Sequence, residues 1–333
     1  MAIESRATWG DLVKGVSAKF AQVFNQSKDS YSLALKDVVA TPGNKQTTLF
    51  KGMSSTASKE RIVNKSGVGY LSITPEGQAY NKDSRLPGYI TPFVFQKYTN
   101  SVTVTEENLS DRDYSEALGE FADLSIAGME TQDKTAFGLF NYGFTAQASV
   151  PVNYSQYGDA KPMFSVGHPR KDGGTAQSNA SATGITLTEP NFETARIAMQ
   201  GQLDDRGKPM RVGTGKLILL VPPELEKTAV IITKGEKRSG TANNDVNIYD
   251  GIATVVSSQW ISSAHGGSAT AWFLIDPRVA KLYHWVREGL STSRAIDNNT
   301  KDVTFYIKGR WTDGYGDWRG MWGSAGDSAA YAL

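Results

Sequence analysis

The chain has 333 residues, enough for a sizeable core and two lobes. Its 35 lysines and arginines stand against 34 aspartates and glutamates, so a net charge of +1 predicts no general nucleic-acid affinity, though it leaves room for a local basic patch. Cysteine is absent, which excludes disulfide staples and thiolate chemistry, and three histidines (His168, His265, His284) without HxxxH or HExxH spacing give no histidine-rich zinc site.

The opening MAIESRATWGDLVKG lacks a basic segment followed by an apolar core, so it does not read as a signal peptide. The longest apolar stretches, near 217–223 and 271–275, fall far short of the roughly 20 residues a membrane span needs. The expectation is a soluble protein made in a reducing compartment, with no membrane partner.

Trp9, Leu12, Val13, Val16, Phe20, Val23 and Phe24 recur at helical spacing. They predict an amphipathic helix that packs either on its own core or, as an arm, on a neighbouring subunit. The polar segment to about Ser58 is a tether whose ordering costs about 1–2 kcal/mol per residue, which favours partner contacts. Residues 60–105 hold strand-like pieces: Gly67–Ile73 alternates weakly, 74–84 is a polar turn-rich stretch, and Tyr89–Phe95 and Tyr98–Thr105 alternate clearly. These predict a long, weakly cored hairpin, marginal alone and stabilised by lying on its own body or a neighbour, then a strand leading into a helix.

That helix is predicted from Asp111 to Phe144, capped by Ser110 or Asp111. It would be roughly 50 Å long, against a radius of gyration of roughly 20 Å for a compact chain of this size. A beam crossing most of a subunit points to assembly and away from a pocket. Tyr114, Leu118, Phe121, Ala122, Ser125, Ile126 and Met129 form one face, and glycines 119, 128 and 138 permit close packing or bending. Residues 145–187 are loop-rich, with an apolar island at Pro162–Val166.

Thr188 and Pro190 then open a helix whose Phe192, Ala195, Met199 and Leu203 face inward. A buried strand at Lys216–Val221, a helix from Pro222, strands at Ile252–Val256 and Ala271–Ile275, and a short helix at Pro277–Val286 follow. Val303–Trp311 is a late alternating strand. The pattern between 188 and 290 is that of an α/β or α+β lobe.

Few residues tempt as chemistry. His168 with Asp172 lies in a glycine- and lysine-rich loop lacking a nucleophile or second carboxylate. Ser178 and Asn179 lack a GxSxG elbow, and Lys234, Gly235 and Gly240 lack Walker spacing. Asp245, Asn247 and Asp250 lack the EF-hand spacing and its terminal glutamate, so a solvated turn is expected rather than calcium. Six of the seven tryptophans, from Trp260 to Trp322, fit core and interface packing better than base stacking. No catalytic, cofactor or metal residue is expected, and the chain reads as a non-enzyme. A soluble carbohydrate-active protein is the weaker reading, because two convergent carboxylates cannot be placed from spacing.

Four segments carry a resemblance. They are Gly128–Thr131 with Phe137–Phe144; Pro162–Pro169 with Gln177–Asn179; Leu187–Ala195 with Asp205–Pro209 and Leu217–Ala229; and Trp272–Pro277 with the late strand and Asp317–Arg319. As an ordered set over about 105–320 they resemble the major capsid protein of tailed bacteriophages, in the Mu-like major head subunit group. The resemblance implies an α+β, HK97-like capsid fold. It assigns 1–58 to an N-terminal arm, 59–97 to an extended loop and 98–187 to a peripheral domain with a spine helix at about 111–144. It assigns 188–295 to an axial domain and 296–333 to a return to the peripheral domain and a C-terminal tail.

The function implied is self-assembly into the icosahedral shell that encloses phage double-stranded DNA. The site implied is the virion head, assembled in the host cytoplasm. The partners implied are copies of itself as pentamers and hexamers, a scaffolding protein, a portal, decoration proteins and the packaged DNA. The opening methionine without a coiled-coil extension favours a separate scaffold. Some capsids of this fold crosslink lysine to asparagine; Lys65 and Lys82 lie in or near the extended loop, but no asparagine partner stands out, and crosslinking is not expected. An encapsulin-like compartment shell shares the fold class and is the alternative.

Overall fold

Two sheets and a ribbon organise the chain, whose computed structural model describes residues 9–30, 39–40, 49–110, 115–235 and 246–329. The larger sheet runs β1 (Val39–Ala40), β2 (Phe50–Ser54), β10 (Leu282–Ile296), β11 (Val303–Tyr315), β5 (Gln96–Val104), with β6 (Tyr154–Ser155) also on β11. The smaller runs β12 (Met321–Ser324), β9 (Trp272–Ile275), β7 (Leu217–Val221), β8 (Ala253–Ser257). The ribbon pairs β3 (Lys59–Lys65) antiparallel with β4 (Pro87–Val94).

β11 shows why the larger sheet has one dry face. Val303, Phe305, Ile307 and Trp311 alternate inward, the two-residue period of a half-buried strand. Helices α1 (Trp9–Ser30) and α3 (Ser115–Asn141) cover that face. Phe20 meets Phe121 edge-on at 4.6 Å and Phe305 at 5.0 Å. Within the single chain, the first helix packs on its own core. Gly128 lets α3 approach the sheet, since a Cβ there would meet Ile307 Cδ1 at 2.7 Å.

The long helix is described as α3 (Ser115–Asn141), and its C-terminal end falls three residues before the expected Phe144. A five-residue helix α2 (Glu106–Ser110) precedes it, and the cap expected at Asp111, with Tyr114, lies outside the described residues. At its other end α3 stops at Asn141, because Gly143 turns the chain back by donating to the Phe140 carbonyl at 3.0 Å. Its 27 residues span about 40 Å.

The smaller sheet is packed by α4 (Glu189–Gln200) and α5 (Pro223–Thr233). α4 begins as the sequence predicts: Thr188 accepts a hydrogen bond from Asn191 N–H, with proline in the first turn, and Phe192, Ala195 and Met199 are buried. We expect Thr188→Ala to lower stability by about 1 kcal/mol, read as a shifted urea midpoint at unchanged slope.

Two expectations fail. Pro277–Val286 is not a helix: after a turn at 277–279, Leu282 to Val286 open β10, pairing from Leu282 with Tyr315 to Val286 with Trp311. Gly67–Ile73 forms no strand but part of an exposed loop. Sheet membership also divides the chain differently from the expected segments. Residues 282–295, grouped with the axial lobe, belong to the larger sheet, and 321–324, expected to return to the larger lobe, pair with β9. The cause of the second is packing: Trp322 lies 5.0 Å from Trp272 inside the smaller lobe's core.

One core joins the two sheets. Phe137 and Phe140 of α3, Ile218, Leu220, Phe273 and Ile275 of the smaller sheet, and Leu282 and Tyr315 of the larger form a single buried cluster.

Candidate assembly surface

The ribbon has a docked base and an undocked tip. At the base, Phe93 lies 5.8 Å from Tyr283 and 6.0 Å from Trp285, so β4 packs on β10 of its own body. Buried Asn64 donates to the Gly316 carbonyl and accepts from Lys281 Nζ at 2.6 Å. Residues 66–86 then leave the strands as a finger, closed at its root by Ser66 N–H on the Leu86 carbonyl at 3.0 Å. Arg206 pairs with Asp83 at 3.0 Å, and Lys208 donates to the Val68 carbonyl at 2.7 Å. Backbone N–H groups of Gly69 and Ser84, with Arg206, hold the Asp83 carboxyl below its ordinary range. Beyond those ties Tyr70, Leu71, Ile73 and Tyr80 are 74–102 % exposed. Large apolar side chains clustered this way mark an interaction surface. The sequence alternates only weakly over Gly67–Ile73, and Gly67 and Gly69, which interrupt it, are the local signal against the strand expected there.

The residues that tempted as chemistry are structural. His168 is fully buried, with Nδ1 2.6 Å from Asp159 Oδ2 and Nε2 3.1 Å from Asn179 Oδ1. Asn179 Oδ1 also accepts from Ser165 N–H at 2.9 Å. Both ring nitrogens are thus occupied, and the ring face is stacked on Trp318 at 4.3 Å. Asp172 is elsewhere, paired with Arg170, and Ser178 is exposed. Asn247 spends its side chain on Tyr249 N–H and the Ile232 carbonyl, while Gly240 and Asp245 lie outside the described residues and Lys234 ends α5. Trp272, Trp311, Trp318 and Trp322 are buried at 0–2 % exposure, so they pack the core and present no stacking platform. Lys65 and Lys82 are exposed, at the end of β3 and in the finger. No helix among the described residues is long and apolar enough to cross a membrane.

Beside Trp318, Arg319 is buried between Asp205 (2.9 Å) and Asp317 (3.2 Å) and donates to the Leu203 carbonyl. This cluster ties the turn at 204–208, which holds the finger, to the strand junction at 316–320. Asp317 is two positions from Arg319, but Leu203 and Asp205 lie more than 110 positions away, so no local pattern announces that they meet.

Buried tyrosines fix an alkaline limit. Burial pushes the Tyr98 hydroxyl from 10.0 up to about 12, with the Asp313 charge adding to it. Burial likewise raises Tyr154, Tyr157 and Tyr315. A raised folded value favours the folded state fully below the unfolded pKa and loses that contribution as pH rises through the folded one. The urea midpoint is expected to fall between pH 10 and about 12, and a midpoint flat across that window would contradict the assignment.

Comparison with known proteins bears on what such a surface is for. A model of the family described as phage capsid protein matches residues 89–324, most of the chain. No curated protein matches it. Among solved structures, the capsid of a native GTA particle aligns at 9 % identity and a TM-score of 0.53, covering 87 % of this chain and 89 % of that one. The capsid of Ralstonia phage GP4 aligns at 13 % and 0.50, covering 89 % and 90 %. The mature capsid of bacteriophage PhiM1 aligns at 14 % and 0.50, covering 88 % and 86 %. At these identities the likeness is one of fold.

Proposed function

Because this chain belongs to the phage capsid protein family, it is a capsid shell subunit of the virion head with an HK97-like fold, and we propose how its parts serve that shell. Copies gather as pentamers and hexamers, with the α4–α5 lobe turned toward the capsomer axes as the axial domain. The larger sheet and α3 form the peripheral domain between axes, and the ribbon reaches a neighbouring copy. The shell encloses double-stranded DNA and is assembled in the host cytoplasm with a scaffolding protein, a portal and decoration proteins. The role is structural and not enzymatic. The observation that carries this reading is the finger: a two-stranded ribbon presenting Tyr70, Leu71, Ile73 and Tyr80 to solvent is uneconomical in a monomer, and burial against a neighbour recovers roughly 25 cal/mol per Å² of that surface.

Cryo-electron microscopy of shells formed with a co-expressed scaffold tests the arrangement. The α4–α5 lobe should surround the five-fold and six-fold axes, with each ribbon crossing to an adjacent copy. Shells with the larger sheet at the axes, or with the finger in solvent, would overturn it.

A further inference from the structure

The smaller lobe carries a cationic cleft lined by no residue of the ribbon or the larger sheet. Arg196 of α4, the turn at 213–216 and Gly251 surround an opening of about 340 Å³ where the parallel strands β7 and β8 begin. The turn is pinned from two sides. Gly213 N–H donates to Asp276 Oδ2 at 3.0 Å, and Gln200 Nε2 donates to the Gly213 carbonyl at 3.3 Å. Gly213 and Gly251 both take φ +71°, left-handed backbone that favours glycine and leaves bare main chain at the wall.

The charges of the cleft are unspent. Arg196 is half-buried, and its Nε is shielded from solvent without a hydrogen-bond partner. Lys216 is exposed. Neither has an ion-pair partner among the described residues.

A third cation, Arg278, stands beside the turn and is held in a fixed pose. Fully buried Asp276 accepts from its Nε at 3.0 Å and its Nη2 at 2.8 Å, and Thr214 Oγ1 accepts from Nη2 at 3.2 Å. Nη1 then lies against Gly215, where a Cβ would meet it at 2.7 Å. The acids nearby do not cancel this charge. Asp276 balances Arg278, and Glu193, one turn from Arg196, hydrogen-bonds the Tyr249 hydroxyl. Asp250, exposed beside Gly251, offsets one further charge.

A buried guanidinium nitrogen left without an acceptor is costly, and an anion in the cleft relieves it. Guanidinium forks favour carboxylates and phosphates. Here the donors come from three separate side chains. A carboxylate has two oxygens to offer them, whereas a terminal phosphate has three. A nucleic-acid backbone phosphate, with two free oxygens, is the poorer match.

We propose that this cleft is a binding site for a terminal phosphate group, inorganic or carried by a small ester, held by Arg196, Lys216 and Arg278. The site belongs to the single subunit, so it stands or falls independently of how copies assemble.

Phosphorus NMR of inorganic phosphate titrated with the purified full-length chain at low salt tests it. The resonance should broaden saturably. Lys216→Gln and Arg196→Gln should each weaken binding roughly tenfold, as loss of a charged hydrogen bond does. Lys59→Gln, on the ribbon, should change nothing. Lys216 is exposed, so its variant gives a clean reading even where Arg196→Gln perturbs the fold; a urea midpoint for each variant separates the two effects. Displacement of the ion by a nucleoside monophosphate would identify an ester as the natural ligand, and failure to displace would leave the free ion. A DNA duplex lacking terminal phosphates should not compete, and competition by it would overturn the terminal-phosphate assignment. Absence of saturable broadening, or broadening that survives both substitutions, would overturn the site.

Discussion

Replacing Arg319 with methionine should destabilise the fold by about 3–5 kcal/mol, the cost of leaving buried charges without their partner. The guanidinium is 3 % exposed and spends its donors on Asp205, Asp317 and the Leu203 carbonyl. Desolvation works against its charge, but Asp317 and Asp205 outweigh that and hold its pKa above the ordinary arginine value. Its plane also lies 4.8 Å over Trp318, which stacks in turn on His168. Removing the cation strands two carboxylates, so Asp205→Asn in the same chain should recover part of the loss. That non-additivity is the signature of a shared network. Urea denaturation of the two single variants and the double variant measures it. Additive losses would show that Arg319 and Asp205 do not act together.

Phe273→Ala is the second large effect, expected at about 3–5 kcal/mol. Phe273 is 2 % exposed, with Phe140 at 5.0 Å and Phe164 at 5.1 Å, and Phe144 stacked beyond at 6.1 Å. These rings come from the end of α3, the 145–187 segment and the smaller sheet, so the cavity would open at the junction of the two lobes. The surroundings cannot collapse easily, because Gly323 passes so close that a Cβ there would meet Phe164 Cδ1 at 2.7 Å. Thermal unfolding should shift downward and lose its single sharp transition as the lobes uncouple. Phe273→Leu, which keeps most of the volume, should retain one transition. A loss below about 1 kcal/mol for the alanine variant, small against the usual range, would show that the lobes do not rest on this ring.

Where packing and local chemistry agree, the elements were legible in the sequence. Thr188 and Pro190 start α4 as expected, the Leu217–Val221 run is a fully buried strand, and the alternation of Val303–Trp311 is β11. The resemblance in ordered segments between 105 and 320 named the family that residues 89–324 match. The failures have physical causes. Val279 and Leu282 sit at helical spacing, yet Leu282 and His284 also alternate, and pairing with β11 decided the matter. β12 is four residues long, too short for periodicity to register, and its pairing with β9, together with Trp322 against Trp272, assigns it to the smaller sheet. Gly67–Ile73 misled because weak alternation suggested a strand, whereas Tyr70, Leu71 and Ile73 lie in a loop and stand exposed. Leu203 and Asp205 meet Arg319 from more than 110 positions away, which no window along the chain can bring together.

Copies of this chain assemble into a shell. The most direct measurement is electron microscopy of the purified protein across a concentration series, with and without its scaffold, alongside light scattering to locate the assembly threshold. Closed shells or rings of five and six subunits are expected above that threshold. A folded, stable monomer at every concentration, scaffold present or absent, would contradict it.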